Sequence, residues 1–163
     1  MTDSPRAIGA RYGHTNVIAR DWRRLATFYE DVFGCVPVPP ERDYSGELLE
    51  RATAVPGAAF RGVHLRLPGG GPDGPTLEIY TYAENAEAVP PTANRVGWGH
   101  VAFMVDDVGQ AREAVLGAGG GVVGDVVTTR TADGRSVTWC YLTDPEGNLV
   151  ELQSWSPAPK PDA

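Results

Sequence analysis

The sequence predicts an α+β fold built from two tandem βαβββ modules, and three observations predict it. A pattern of strand, helix and three strands is met twice along the chain. Each copy opens on a Gly-His pair, Gly13-His14 and Gly99-His100, and closes on a strand carrying one glutamate, Leu77-Glu78-Ile79 and Val150-Glu151-Leu152. Between the copies, over residues 83–94, the composition turns to alanine, glutamate and proline, as in a linker. The expected layout is a flexible N-terminus (1–10), a first module (11–82), a linker (83–95), a second module (96–155) and a flexible tail (156–163), forming one domain.

Residues 12–19 are short and rich in β-branched side chains, hence a strand, after which Asp21 can cap a helix. Trp22, Leu25, Phe28, Tyr29 and Val32 recur at helical spacing, and Gly34 supplies the left-handed residue past the end. Pro37 marks residues 35–38 as an edge strand, and a short helix is expected over residues 47–54. Residues 60–67 and 76–82 read as strands joined by the glycine-rich turn 69–75, which no helix follows, so it is a hairpin connection and not a phosphate loop. The second copy repeats the order: an opening strand with Asp106-Asp107 as cap, then a helix face of Val108, Ala111, Val115 and Leu116 ending at Gly119. Strands over 122–127, 135–142 and 148–154 complete it, the last two joined by Asp144-Pro145-Glu146-Gly147.

The formal net charge is -7, with Lys160 the single lysine against thirteen arginines, so no basic patch exists to neutralise a run of phosphates and nucleic acid is excluded as a partner. The first residues carry no apolar run behind a basic start, and no stretch nears the roughly 20 apolar residues that span a bilayer. A cytoplasmic protein with no membrane partner is expected. Cys35 and Cys140 read as two reduced, packed thiols without a catalytic role.

His14, Glu78, His100 and Glu151 are the candidate metal ligands. Taken singly, a strand histidine or glutamate is usually a solvated or hydrogen-bonded residue. Four at matching places of a duplication are less easily accidental, and a pseudo-twofold would bring two imidazoles and two carboxylates to one divalent ion. Ni, Co, Mn, Fe or Zn suits such a set, whereas calcium does not want the histidines. A carboxylate within an apolar strand is costly to desolvate unless a cation compensates. By the alternation of strands His14 shares a face with Asn16, and Glu78 with Tyr80 and Tyr82. His64 and Arg66 share a face able to contact an anionic substrate, and Trp98 can stack on an aromatic one. Asn16, His64, Arg66, Tyr80 and Trp98 are therefore the candidate substrate-binding residues.

Four segments carry a family resemblance: Gly13-His14-Thr15-Asn16-Val17, Phe28-Tyr29-Glu30-Asp31-Val32-Phe33-Gly34, Gly99-His100-Val101-Ala102-Phe103 and Asp144-Pro145-Glu146-Gly147-Asn148-Leu149-Val150-Glu151-Leu152. Across residues 12–155 the chain resembles the vicinal oxygen chelate superfamily, the glyoxalase, bleomycin-resistance protein and extradiol dioxygenase group, most closely its glyoxalase I-type members. The resemblance implies curved mixed β-sheets around a metal cleft, with His14, Glu78, His100 and Glu151 matching the His, Glu, His, Glu ligand pattern of glyoxalase I. It implies one divalent metal ion and a lyase or isomerase acting on a small molecule with vicinal oxygens, in which Glu78 or Glu151 moves a proton alpha to a metal-bound carbonyl through an enediolate. A homodimer is expected, with the ligands drawn from one chain or from two. Members of the group also bind antibiotics without a metal, and that is the alternative. Methylmalonyl-CoA epimerase carries glutamine where this chain has Glu78, which weakens an epimerase reading. Extradiol dioxygenases use three ligands, and a fourth at Glu78 would crowd the position oxygen needs. The long segment 35–60 departs from a minimal glyoxalase module and is expected to shape the cleft mouth.

Overall fold

The computed structural model describes residues 9–156. The expected flexible ends lie outside the described residues, except for residues 9, 10 and 156. In the first module β1 (His14–Ile18) leads into α1 (Trp22–Phe33). The helix starts where Asp21 Oδ1 accepts the backbone N–H groups of Arg23 and Arg24, both at 3.1 Å. It stops at Gly34, whose φ of 67° lets its own N–H and that of Cys35 return to the carbonyls of Glu30 and Tyr29. β2 (Val36–Ser45), α2 (Glu47–Thr53), β3 (Ala59–Arg66) and β4 (Thr76–Tyr82) follow. The second module holds β5 (Val101–Met104), α3 (Val108–Gly117) capped by Asp107, β6 (Gly121–Val122), β7 (Val127–Arg130), β8 (Ser136–Thr143) and β9 (Leu149–Trp155).

Each module has its own mixed sheet, in the order β1-β4-β3-β2 and β5-β9-β8-β6, with β7 also paired to β8. The opening strand runs parallel to the closing one in both, β1 to β4 and β5 to β9, and the remaining pairs are antiparallel. The α+β architecture with curved mixed sheets agrees with the expectation. Two local readings need correction. β2 is longer than residues 35–38, and its register breaks between Val38 and Arg42, where Pro39 and Pro40 offer no N–H to the ladder. In the second module the strand expected over 122–127 is instead two pieces, β6 against Leu142 and Thr143, and β7 against residues 136–139 of β8. The edges of the two sheets are thus interrupted at comparable places.

One apolar core joins the modules on the helix side of both sheets. Val63, Leu65, Leu77 and Ile79 of the first sheet and Cys140, Leu142, Val150 and Leu152 of the second are buried in one cluster with Leu25, Phe28 and Tyr29 of α1 and Val108 and Val115 of α3. The Phe33 and Phe103 rings stack with centroids 3.9 Å apart across the module boundary. The opposite faces of the sheets carry the candidate ligands, whose side chains are between 13% and 50% exposed. No helix among the described residues is long and apolar enough to cross a membrane.

Both cysteines are free and buried. Burial pushes the Cys35 thiol up to about 11, and that of Cys140 is raised for the same first reason. Neither thiol is therefore expected to react with a disulfide reagent at pH 8 in the native protein, while both react in denaturant. A stoichiometric native reaction would contradict this packing.

Candidate functional site

In parallel ladders β1 and β4 set Asn16 opposite Glu78, and β5 and β9 set Ala102 opposite Glu151. Each candidate histidine lies two residues before that position and so shares the glutamate's face. His14 is the first residue of β1, whereas His100 stands just ahead of β5 and not inside a strand. His14 Nε2 lies 3.2 Å from Glu78 Oε2, and His100 Nε2 lies 2.8 Å from Glu151 Oε2. Among the described residues no ion pair or hydrogen bond joins one pair to the other, and no three His, Cys, Asp or Glu side chains are grouped as a metal site. The quartet is brought together as two pairs, each on the open face of its own sheet.

The surroundings of the glutamates differ. Glu78 Oε1 accepts the Tyr80 hydroxyl at 3.0 Å and lies 2.7 Å from His64 Nε2. Its Oε2 faces His14 and, at 3.4 Å, Asn16 Nδ2. His64 stands opposite Glu78 on β3, and its Nδ1 is 3.0 Å from the Thr76 hydroxyl. Burial lowers the pKa of His64, against the pull of Glu78, and burial with the Glu78 charge raises that of Tyr80. In the second module Tyr141 stands opposite Glu151, with its ring centroid 5.0 Å from that of His100, and burial and Glu151 raise its pKa. Thr76 and Tyr141 escaped the sequence reading, although strand alternation places both on the ligand faces.

Arg66 lies on the His64 face, and its Nε is buried without a hydrogen-bond partner among the described residues. Trp98 is 90% exposed ahead of His100. Asn16 also lines a groove of about 860 Å³ with Ile18, Tyr82, Asn85 and Glu146, a groove that includes none of the four candidate ligands.

The donor chemistry fits a divalent transition metal. Two donors bound at about 2.1 Å and at right angles to tetrahedral angles lie about 3.0–3.4 Å apart. The 3.2 Å separation in the first pair falls within that span and the 2.8 Å one just below it. His14, Glu78, His100 and Glu151 are the residues that would hold the ion, two from each module. At the same separations each imidazole forms an ion pair with its carboxylate when the histidine is protonated.

A family model described as Glyoxalase/Bleomycin resistance protein/Dioxygenase superfamily matches residues 11–152. Among solved structures, a glyoxalase family protein from Bacillus cereus is similar at 18% identity with a TM-score of 0.76, covering 96% of this chain and 99% of the other. A glyoxalase/bleomycin resistance protein/dioxygenase domain from Frankia sp. is similar at 15% identity and TM-score 0.56, covering 94% and 100%. A family enzyme from Burkholderia phytofirmans reaches 17% identity and TM-score 0.55, covering 89% and 98%. These likenesses establish the fold. No curated protein matches.

Proposed function

The chain belongs to the Glyoxalase/Bleomycin resistance protein/Dioxygenase superfamily, and from that premise we propose that it is a divalent-metal-dependent enzyme of the glyoxalase I type. It moves a proton next to a carbonyl on a small substrate with two neighbouring oxygens. One observation carries this reading: the same geometry, a histidine Nε2 beside a glutamate oxygen at 3.2 and 2.8 Å, recurs at the same ladder position of both modules.

The bound cation would supply Lewis-acid polarisation of the substrate oxygens. His14 and His100 would hold it together with Glu78 and Glu151, and one of the two glutamates would also serve as the base. Glu78 or Glu151 takes the proton on a carboxylate oxygen and returns it to the neighbouring carbon, a transfer that needs the group within hydrogen-bond reach of the substrate. Tyr80, Tyr82, Trp139 and Tyr141 line the open faces with aromatic surface for the rest of the substrate.

Among the described residues no ion pair or hydrogen bond joins the pair on one sheet to the pair on the other, so in this reading a second copy of the chain completes the quartet. The first sheet of one protomer faces the second sheet of the other, giving two sites per homodimer. Exposed apolar surface supports a covered face: Val96, Trp98 and Met104 are 99%, 90% and 80% exposed.

Metal content by ICP-MS, on protein purified without chelator or metal-affinity resin, tests the proposal. Wild type is expected to hold about one transition-metal ion per chain, and His100→Ala and Glu151→Gln to hold almost none. A wild type that stays empty after incubation with Ni²⁺, Co²⁺, Mn²⁺, Fe²⁺ or Zn²⁺ would sink the enzyme reading and leave metal-free ligand binding in its place.

A further inference from the structure

We infer that His64 and Tyr80 are positioning residues that fix the Glu78 carboxylate with Oε2 turned toward His14. The inference rests on the metal reading above and adds a role for two side chains outside the quartet.

The two oxygens of Glu78 have separate tasks. Oε1 meets the Tyr80 hydroxyl at 3.0 Å and His64 Nε2 at 2.7 Å, while Oε2 is left to His14 at 3.2 Å and Asn16 at 3.4 Å. The hydrogen-bond pattern is self-consistent in one arrangement. The Thr76 hydroxyl, 3.0 Å from His64 Nδ1, donates to that nitrogen, so Nε2 carries the hydrogen and donates to the Tyr80 hydroxyl oxygen at 3.0 Å. Tyr80 in turn donates to Glu78 Oε1 at 3.0 Å, and His64 Nε2 lies 2.7 Å from the same oxygen. A carboxylate with one oxygen anchored by a hydrogen bond that a second side chain orients rotates little, which aims the other oxygen.

The backbone is arranged to admit this network. A Cβ at position 62 would come within 2.3 Å of Tyr80 Cδ1, so glycine there leaves the space in which the Tyr80 ring lies, stacked on Phe60 with centroids 4.4 Å apart. The duplication supplies an internal control. The residue facing the glutamate across the antiparallel ladder is His64 in the first module and Tyr141 in the second. The strand frame therefore does not require a histidine at this place.

Two measurements test the role. Zn²⁺ affinity is read by competition with a chelating dye for wild type, His64→Leu, His64→Gln and Tyr80→Phe, with circular dichroism to confirm the fold. His64→Leu and Tyr80→Phe are expected to bind Zn²⁺ about 10- to 100-fold more weakly, the usual effect of removing an outer partner of a ligand. His64→Gln, which carries an N–H near the place of Nε2, is expected to stay within about threefold of wild type. A folded His64→Leu that binds as tightly as wild type overturns the inference. In metal-free protein at pH 8, ¹⁵N-edited histidine spectra are expected to show His64 as the Nε2–H tautomer, with shifts that change in Glu78→Gln. The Nδ1–H tautomer, or shifts indifferent to Glu78→Gln, also overturns it. A wild type that takes up no Zn²⁺ counts against the metal reading alone, and the tautomer then decides whether His64 holds Glu78.

Discussion

His14→Ala and His100→Ala, each nearly devoid of metal and activity alone, are expected to recover both when unfolded and refolded together. The first substitution damages the pair on the first sheet, the second the pair on the other, and no ion pair or hydrogen bond among the described residues links them. If each site takes one pair from either protomer of a homodimer, a mixed dimer contains one site with both substitutions and one with neither. Random pairing makes half of the dimers mixed, so recovery should approach about a quarter of the wild-type metal content and turnover. A site closed within one chain gives the opposite result, since every site then keeps one damaged histidine and mixing restores nothing. Bound metal and turnover of the co-refolded sample, with dimerisation confirmed by analytical ultracentrifugation, separate the two. Full dimerisation without recovery would refute the shared site.

The duplication was legible because both modules write it in the same residues. Asp21 and Asp107 cap the helices, Gly34 ends the first with φ of 67°, and buried Val63, Leu65, Leu77 and Ile79 alternate with the residues of the ligand face. Period-two alternation also placed Tyr80 on the face of Glu78, and it put His64 with Arg66 on a face able to reach the cleft. It did not show that Tyr80 and His64 meet Glu78, because alternation gives the face and not the rotamer. The splitting of the sixth and seventh strands was hidden for a different reason. Residues 122–127 are rich in valine, and the interruption is set by where the chain leaves the edge of β8, a tertiary matter that local propensity does not encode. The separation of the quartet into two pairs was equally invisible. Matching positions in two modules state that the sites are equivalent, not whether the modules face each other or pack through their helices.

That helix-side packing depends on Asp144, whose replacement by alanine is expected to be the most damaging single change outside the candidate site. Asp144 is 2% exposed and accepts four hydrogen bonds: the N–H groups of Glu146 and Asn148 on Oδ1, and Asn148 Nδ2 and the Tyr29 hydroxyl on Oδ2. Burial raises its pKa while these donors pull it down. The Tyr29 bond crosses from α1 to the second module, and the turn it anchors carries Glu146, which accepts the backbone N–H groups of Arg20 and Asp21 and the Arg20 guanidinium at 2.9–3.1 Å. Removing the carboxylate leaves buried donors unpaired on both sides of the boundary, a loss of about 3–5 kcal/mol. Tyr29→Phe removes one bond to a charged acceptor and should cost about 1.5–3 kcal/mol. For a chain of this length 1 kcal/mol moves the melting temperature by about 2–4 °C, so Asp144→Ala should melt roughly 6–20 °C below wild type and Tyr29→Phe roughly 3–12 °C. The double variant should fall less than the sum, because both changes break the same bond. Thermal melts of the three variants followed by circular dichroism check this, and strictly additive losses would show that Tyr29 and Asp144 do not act through each other. The same turn leads straight into β9, so its loosening should also displace Glu151 and weaken metal binding in Asp144→Ala even where the protein remains folded.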